Sequence, residues 1–362
     1  MKKITALLVL LFVSLSFVSC NYSELSNIIF VAGMGIDKEK DGSYTLSVET
    51  ITMSKSGDKG DYTPEIAVAS GKTVLEASAN LISITSGKLY FNHCQVIIFS
   101  EVASSEGLSV LVDMLYKNSD FDINSIMMIA KGTSANEVLT AEPITTRSQS
   151  MELYSSIINE GGLEKSLKTT LHDLYATLHE EGQCSILPSV FVKKTDKKVF
   201  AVAEGAAVFE KDRFAGFLDG EETRFYLFSS NKIRDGFMSV PISSDDNFSA
   251  RIKNNRSVLS ASIDQDKITL KIDTNTTLSY VGEYQNGIEL TKLRESSQSY
   301  IKEGIEKLFE KSRSELHCDL FGAEVYLRKR KPGQFEKHNG NFENMTLEVI
   351  CLTDIRISSR MD

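Results

Sequence analysis

The first half of the chain alternates between strand-like and helix-like hydrophobic patterns. Ile28–Ala32 is a short apolar run, typical of a buried strand, and Tyr44–Ile51 alternates at period two, typical of a half-exposed strand. Two Ser/Thr-x-x-Glu capping boxes, at Thr73–Glu76 and Ser134–Glu137, predict the starts of two helices. The same periods predict strands at 89–99 and 126–130 and helices at 108–115, 150–159 and 167–180. This order predicts an α/β layer in which helices cover a sheet.

The pattern changes near Gly182, where short strands replace the alternation of helix and strand. Ala201–Phe209 and Phe214–Leu218 are separated by four charged residues and predict a β-hairpin. Further elements are predicted as short strands at 251–255, 258–263, 268–273 and 345–356 and one long helix at 291–312. We therefore predict an N-terminal α/β domain over residues 28–186 and a C-terminal α+β region over residues 187–362. Together they would form a multidomain body of mixed β-sheets flanked by helices.

The N-terminus has the three parts of a lipoprotein signal peptide. Two lysines precede an apolar run over residues 4–13, and a small residue, Ser19, stands directly before Cys20. The apolar run is too short to span a membrane, which takes about 20 residues. We predict a signal peptide over residues 1–19 and a lipidated Cys20 that begins a tether over residues 20–27. The alternative is an ordinary signal peptide followed by a chance cysteine. Two acyl chains on the cysteine would anchor the body to the outer face of the cell membrane.

Charge and cysteine content narrow the class of protein. The net charge is −9 and charged residues of both signs are interspersed, so no basic surface for nucleic acid is predicted. The cysteines after residue 20 are far apart and include no C-x-x-C pair: Cys94, Cys184, Cys318 and Cys351. Isolated cysteines are usually small buried hydrophobes, and a zinc site is not expected. A disulfide stays open for a protein outside the cytoplasm.

Two pairs of residues resemble parts of known binding-site motifs. Gly33 and Gly35 follow a predicted strand, but Lys38 stands where a dinucleotide fingerprint needs its third glycine. The incomplete motif favours a role in bending a loop. His172 and His179 lie two turns apart on a predicted helix, whereas metal ligands on a helix are usually four residues apart. We therefore predict neither a dinucleotide site nor a metal site.

No nucleophile motif is present, so we predict that the protein is not an enzyme and needs no cofactor. Both the Gly-x-Ser-x-Gly elbow and the phosphate-binding loop are absent from the sequence. His93 and Cys94 are neighbours on a predicted strand, so their side chains would point to opposite faces. Arg328–Lys331, next to a proline and a glycine, predicts an exposed turn. On a membrane-tethered protein this basic run could alternatively face anionic lipid.

Several separated segments resemble one family in the expected order along the chain. They comprise Glu24–Asn27 with Ile29–Lys38, Gly71–Thr73, Leu89–His93, Leu187–Pro188, Glu204–Arg213 and Cys318–Gly322. In these segments the chain resembles the Ger(x)C family, the C subunits of bacterial spore nutrient-germinant receptors. No single motif is catalytic, and the ordered set carries the likeness. The chain departs from the family in lacking the tryptophans that the family often has near both ends.

The resemblance implies a spore germination protein that acts without catalysis, by assembly and signal coupling. It implies a lipid-anchored subunit at the spore inner membrane, beside two integral membrane subunits of the A and B types. The family's fold is a set of α+β domains, which predicts that the C-terminal region splits again near Asp245. No ligand-binding residues can be mapped onto this chain from the family.

The alternative function is a lipid-anchored solute-binding protein of a transporter. Such a protein would share the anchor, the length and the two-part α/β body. It would hold its ligand in a cleft lined by aromatic and a few polar groups. The chain has no tryptophan and no clustered aromatic stretch, which argues against this alternative.

Overall fold

The computed structural model describes residues 28–53, 62–85, 87–158, 164–243, 246–264, 267–281, 289–336 and 345–357. Within them, the strands form one sheet of nine strands and one of four, and helices flank both. Mixed sheets flanked by helices are the fold class expected from the hydrophobic pattern, so that prediction is confirmed. The signal peptide, Cys20, the tether and Asp245 lie outside the described residues.

The large sheet combines parallel and antiparallel strands. Its members are β1 (Ile28–Lys38), β2 (Tyr44–Met53), β3 (Tyr62–Gly71), β4 (Lys88–Tyr90), β5 (Val96–Ser100), β6 (Ile126–Ala130), β7 (Cys184–Lys194), β8 (Val199–Glu210) and β9 (Arg213–Leu218). In space they follow the order β3-β2-β1-β5-β6-β7-β8-β9, and β4 pairs with the start of β1. The strand β1 lies between antiparallel β2 and parallel β5. Parallel neighbours need crossover connections, which helices supply.

Helices cover both faces of the large sheet. They are α1 (Val74–Ile84), α2 (Glu101–Ser105), α3 (Leu108–Lys117), α4 (Ala135–Leu139), α5 (Gln149–Ile158) and α6 (Leu171–His179). In β5, Ile97 and Phe99 belong to one apolar cluster, and Val96 and Ile98 belong to a second. Because consecutive strand residues point to opposite faces, β5 is buried on both sides.

Two buried carboxylates attach helices to the large sheet. Asp37 in β1 accepts hydrogen bonds from the N–H groups of Ala135 (2.7 Å) and Asn136 (3.0 Å) at the start of α4. Glu49 in β2 accepts hydrogen bonds from the N–H groups of the first two residues of α5, at 2.9 and 2.7 Å. The first N–H groups of a helix lack partners within the helix, so each carboxylate satisfies them and complements the helix dipole. Burial outweighs these bonds and raises the pKa of Asp37.

Gly33 and Gly35 lie inside β1, so the prediction that they bend a loop is wrong. A Cβ on Gly33 would stand 2.0 Å from Oγ of Ser150, and one on Gly35 would stand 3.0 Å from Cβ of Ala135. The glycines therefore allow α4 and α5 to approach the sheet closely. The pair has a packing role, which its spacing alone does not reveal.

The second sheet consists of β10 (Gly236–Pro241), β11 (Asn247–Asp264), β12 (Lys267–Val281) and β13 (Met345–Ile357), paired in that order. Its helices are α7 (Gly220–Ser229), α8 (Leu290–Ser314), α9 (Ala323–Arg330) and α10 (Pro332–Phe335). The long helix α8 buries one apolar stripe, which includes Leu293, Ile301, Ile305 and Leu308. Residues at this spacing share one helical face, as the sequence predicts.

The domain boundary predicted between residues 186 and 187 falls inside β7. This strand pairs with both β6 and β8, so the large sheet continues to Leu218. One apolar cluster contains residues of both sheets, among them Ala206 and Leu218 of the large sheet and Ile252 of the second sheet. The change of pattern near Gly182 coincides with a change from parallel to antiparallel pairing within one sheet. The division into domains stays a prediction.

Several elements differ from their predicted form. The strand expected at 89–99 is two strands, β4 and β5, so His93 and Cys94 lie in the connection between them. The short strands expected at 251–255 and 258–263 are one strand, β11, with an irregularity between Ile252 and Asn254. The sequence pattern missed α7, because this helix is buried nearly all round and has no polar face that would reveal its period.

Candidate functional site: interaction surfaces

The two histidines on α6 belong to a contact between helices. The ring of His172 lies 3.1 Å from the hydroxyl of Tyr116 on α3, and Nε2 of His179 lies 3.5 Å from Asp113. Between them the rings of Tyr116 and Tyr175 stack at 3.8 Å. Among the residues that the structure describes, no group of three or more His, Cys, Asp or Glu side chains is placed to hold a metal ion.

The four cysteines of the described body differ in their surroundings. Cys94 is buried, and its thiol donates to the carbonyl of Val96 at 3.3 Å. Burial raises the pKa of Cys94 to about 12 and that of the half-buried Cys351 to about 12. Cys184 and Cys318 are brought together at one cavity, where the neighbouring Cys318 thiol and burial raise the pKa of Cys184. Their separation in the sequence gives no sign of this contact.

An apolar surface lies beside the start of β1, the strand that follows the predicted tether. Phe30 and Tyr90 meet edge to face at 5.9 Å, and His93 packs against both rings at 5.6–5.7 Å. The nearby end of α1 exposes Ile82 and Ile84, at 52% and 61%. Since β4 begins four residues after α1 ends and pairs with the start of β1, these side chains lie at one end of the sheet. We call these five residues the near-tether surface.

The spacing within α1 could have revealed part of the near-tether surface. Val74, Ala77 and Leu81 form the buried side of this helix. Leu75 and Ile82 are seven residues apart, which places them together on another side, and both are exposed. A helix that packs on one sheet needs apolar residues on only one side. The second apolar side of α1 can therefore contact another surface.

The second sheet has one open face. In β10, buried residues alternate with exposed ones, and helices cover only the buried side. The strand register places Val258 opposite Asp273 and Asp273 beside Ile350. The large apolar side chains exposed on this sheet are Phe237, Val258, Ile350 and Leu352. These four side chains and their charged neighbours form a surface of the kind that protein partners bury. We call the four residues the open face.

A polar groove of about 580 Å³ lies between α7, α8 and β10. Arg224 in this groove is only 6% exposed, and its guanidinium approaches the hydroxyl of Tyr300 at 3.3 Å. The Tyr300 hydroxyl donates to the carboxylate of Glu221, and burial, reinforced by this carboxylate, raises the pKa of Tyr300 to about 12. Nε of Arg224 has no hydrogen-bond partner among the described residues. The groove offers donors and carboxylates side by side.

The sequence predicts an exposed turn for the basic run Arg328–Lys331. In the structure the run instead includes the end of α9. Arg328 pairs with Glu324 at 2.8 Å and with Glu181 at 3.1 Å, and its guanidinium lies over the ring of Phe335. The next lysine in the run pairs with Glu180 at 3.1 Å. Much of the charge of this run is therefore engaged within the chain. No helix of the described residues is both long and apolar enough to span a membrane.

Family models cover most of the chain. Residues 21–192 match the spore germination protein N-terminal domain, and residues 204–361 match the C-terminal domain described as spore germination B3/GerAC-like. The spore germination protein B3 of Bacillus subtilis (strain 168) is 20% identical over 98% of this chain and 97% of its own length. The spore germination protein KC of the same organism is 23% identical, over 60% of this chain. That match spans 59% of the KC protein.

A solved structure shares the fold. The crystal structure of the GerBC protein superposes with a TM-score of 0.59 and 16% identity, over 92% of this chain and 99% of that one. Both family models lie in the order that the sequence segments predict, and the solute-binding alternative is not favoured. The chain belongs to the GerAC-like family of spore germination proteins.

Proposed function

We propose that this chain is the lipid-anchored C subunit of a nutrient-germinant receptor at the spore inner membrane. The match of both family models, end to end, carries the proposal. Lipidation at Cys20 would fix the body to the outer face of the membrane, where the subunit would work beside two integral membrane subunits of the A and B types. Its contribution would be assembly and signal coupling, without bond making.

The near-tether surface supports this placement. Seven residues, 21–27, connect Cys20 to the start of β1. An extended chain of this length reaches about 28 Å at most, so an anchored body would keep this end of the large sheet at the membrane. Tyrosine and isoleucine side chains at such a position suit the boundary between headgroups and acyl chains. We infer that the near-tether surface rests on lipid.

The buried carboxylates support a structural rather than a catalytic role for the body. Asp37 accepts two N–H groups at the start of α4, and Asp319 accepts those of Gly322 (2.9 Å) and Glu324 (2.6 Å) at the start of α9. Burial raises the pKa of both carboxyls, which catalytic acids also show. Here each carboxylate is engaged by backbone groups that it holds in place, so the raised pKa accompanies helix capping.

The anchor is tested by replacing Cys20. The Cys20→Ala chain should lack acyl groups and leave the membrane fraction, whereas the matched control Cys351→Ala should stay there. Fractionation of spore lysates, followed by detection of this chain, measures both. A Cys20→Ala chain as firmly membrane-bound as the parent would contradict the anchor.

The partners are tested in the same membranes. Purification of this subunit from detergent-solubilised spore membranes should recover both integral membrane subunits. Deletion of its gene should slow germination in at least one nutrient mixture. Recovery of permease components instead, together with normal germination after removal of paralogous receptors, would contradict the role.

A further inference from the structure

Cys184 and Cys318 are far apart in the sequence and in contact in the fold. Cys184 is the first residue of β7, and Cys318 follows α8 in the turn before α9. Both are buried, at 8% and 3% exposure, within one apolar cluster. Both line the same cavity of about 410 Å³, where the neighbouring Cys318 thiol raises the pKa of Cys184. Neither Cys94 nor Cys351 lines this cavity.

Backbone hydrogen bonds hold both positions. Cys184 pairs with Glu210 in the ladder between β7 and β8. The N–H of Cys318 donates to the carbonyl of Ser312 at 3.0 Å, and the carboxylate of Asp319 holds the rest of the turn. The folded backbone therefore holds both side chains at the same cavity. A disulfide needs neighbouring Cβ atoms whose side chains point at each other, and Cys184 and Cys318 both line one cavity at the contact between the large sheet and this turn.

We propose that Cys184 and Cys318 form a disulfide that joins the large sheet to the turn between α8 and α9. Each thiol loses its proton and one electron, the S–S bond forms, and the two electrons and two protons reduce the disulfide of a thiol–disulfide oxidant to two thiols. The presence of such an oxidant rests on the proposed location outside the cytoplasm, whereas the pairing rests on the fold alone.

Burial determines when this bond can form. The contact with Cys318 and burial both raise the pKa of Cys184, so the reactive thiolate is scarce in the folded protein. Oxidation is therefore expected while the chain folds, before the cavity closes around the sulfur atoms. Once formed, the buried bond is shielded from reductants. The bond would close a loop of more than 100 residues, the length range in which loop-closure entropy is largest.

The chain suits a direct test, because each of its four body cysteines falls on a different tryptic peptide. Cleavage after lysine and arginine puts Cys184 in residues 169–193 and Cys318 in residues 314–328. The full chain, refolded with oxidised and reduced glutathione and then alkylated, should yield these two peptides joined and lighter by two hydrogen atoms. Cys94 and Cys351 should be alkylated and serve as internal controls. Alkylation of both Cys184 and Cys318 after oxidative refolding would overturn the proposal.

Thermal unfolding supplies a second readout. The oxidised chain should melt about 5–10 °C above the same chain that has been reduced while unfolded in denaturant and then refolded in the presence of reductant. Cys184→Ala and Cys318→Ala should each abolish this difference, and Cys351→Ala should keep it. If the alanine variants fail to fold, the parent with and without reductant still decides, because an unchanged melting temperature would overturn the proposal. Loss of membrane binding by Cys20→Ala tests the location separately, so the two claims can fail independently.

Discussion

The two sheets of this protein differ in what covers them. The large sheet has helices on both faces, and its strands β5 and β6 are buried at every residue. The second sheet is covered on one face, and its strand β10 alternates between buried and exposed residues. A sheet buried on both sides can serve only as a scaffold, whereas a sheet with an open face can also bind a partner. The comparison assigns a scaffold role to the two covered faces of the large sheet and contact with a protein partner to the open face of the second sheet.

The sharpest way to break this comparison is to cut the chain where the sequence places its domain boundary. A fragment of residues 28–186 would lose most of β7 and all of β8 and β9, which continue the large sheet. We expect this fragment to be unfolded and the intact body to melt in one transition, because one apolar cluster joins the two sheets. Circular dichroism and calorimetry measure both. A stably folded fragment would instead support the boundary at residue 186.

A pair of isoleucines compares the two sheets directly. Ile98 is fully buried in β5, and Ile350 is 39% exposed on the open face. Ile98→Ala should lower the free energy of unfolding by about 4 kcal/mol, because it removes buried methyl groups and leaves a cavity. Ile350→Ala should lower it by less than about 1 kcal/mol. Urea unfolding of both variants checks the difference, and equal losses would mean that the open face is buried.

Asp319 gives the turn before α9 a dependence on pH. Burial raises its pKa to about 6, above that of an exposed aspartate. The folded protein therefore binds this proton more tightly than the unfolded chain, and its contribution to stability rises as pH falls from 7 to 5. The expected gain is about 1 kcal/mol relative to Asp319→Asn, which cannot titrate. Unfolding of parent and variant at both pH values measures it, and a constant difference between them would contradict the raised pKa.

The open face should matter more to assembly than to stability. Leu352→Asp adds a charge where the side chain is 55% exposed, so the free energy of unfolding should change by about 0.5 kcal/mol or less. The same change should weaken recovery of the integral membrane subunits from solubilised spore membranes. Ile84→Asp on the near-tether surface is the matched control, since lipid, not protein, is expected there. Full recovery with Leu352→Asp would exclude this face as the contact.

Local signals in the sequence predicted the parts of the fold that depend on local chemistry. The capping box at Ser134 and Glu137 forms as expected, and the apolar stripes of α3 and α8 face the core. The roles of Gly33 and Gly35 could not be predicted, because they depend on helices 100 or more residues away. The same holds for Cys184 and Cys318, which only the folded chain brings into contact.

Surfaces were harder to predict than elements. Exposed apolar residues such as Ile84 and Leu352 look like core positions in a sequence, and only the packing around them shows that they face outwards. The family resemblance did not distinguish surface from core: its segments 29–38 and 89–93 include buried strand residues together with Phe30, Tyr90 and His93 of the near-tether surface. The prediction of function therefore came from the ordered segments, and the candidate surfaces came from the fold.

The central claim is that this body is held at the membrane by its N-terminal cysteine. Mass spectrometry of the N-terminal peptide of the chain, purified from spore membranes, tests it most directly. The account predicts a mature chain that begins at Cys20 and carries acyl groups on that residue. A mature chain that begins elsewhere, or an unmodified Cys20, would contradict it.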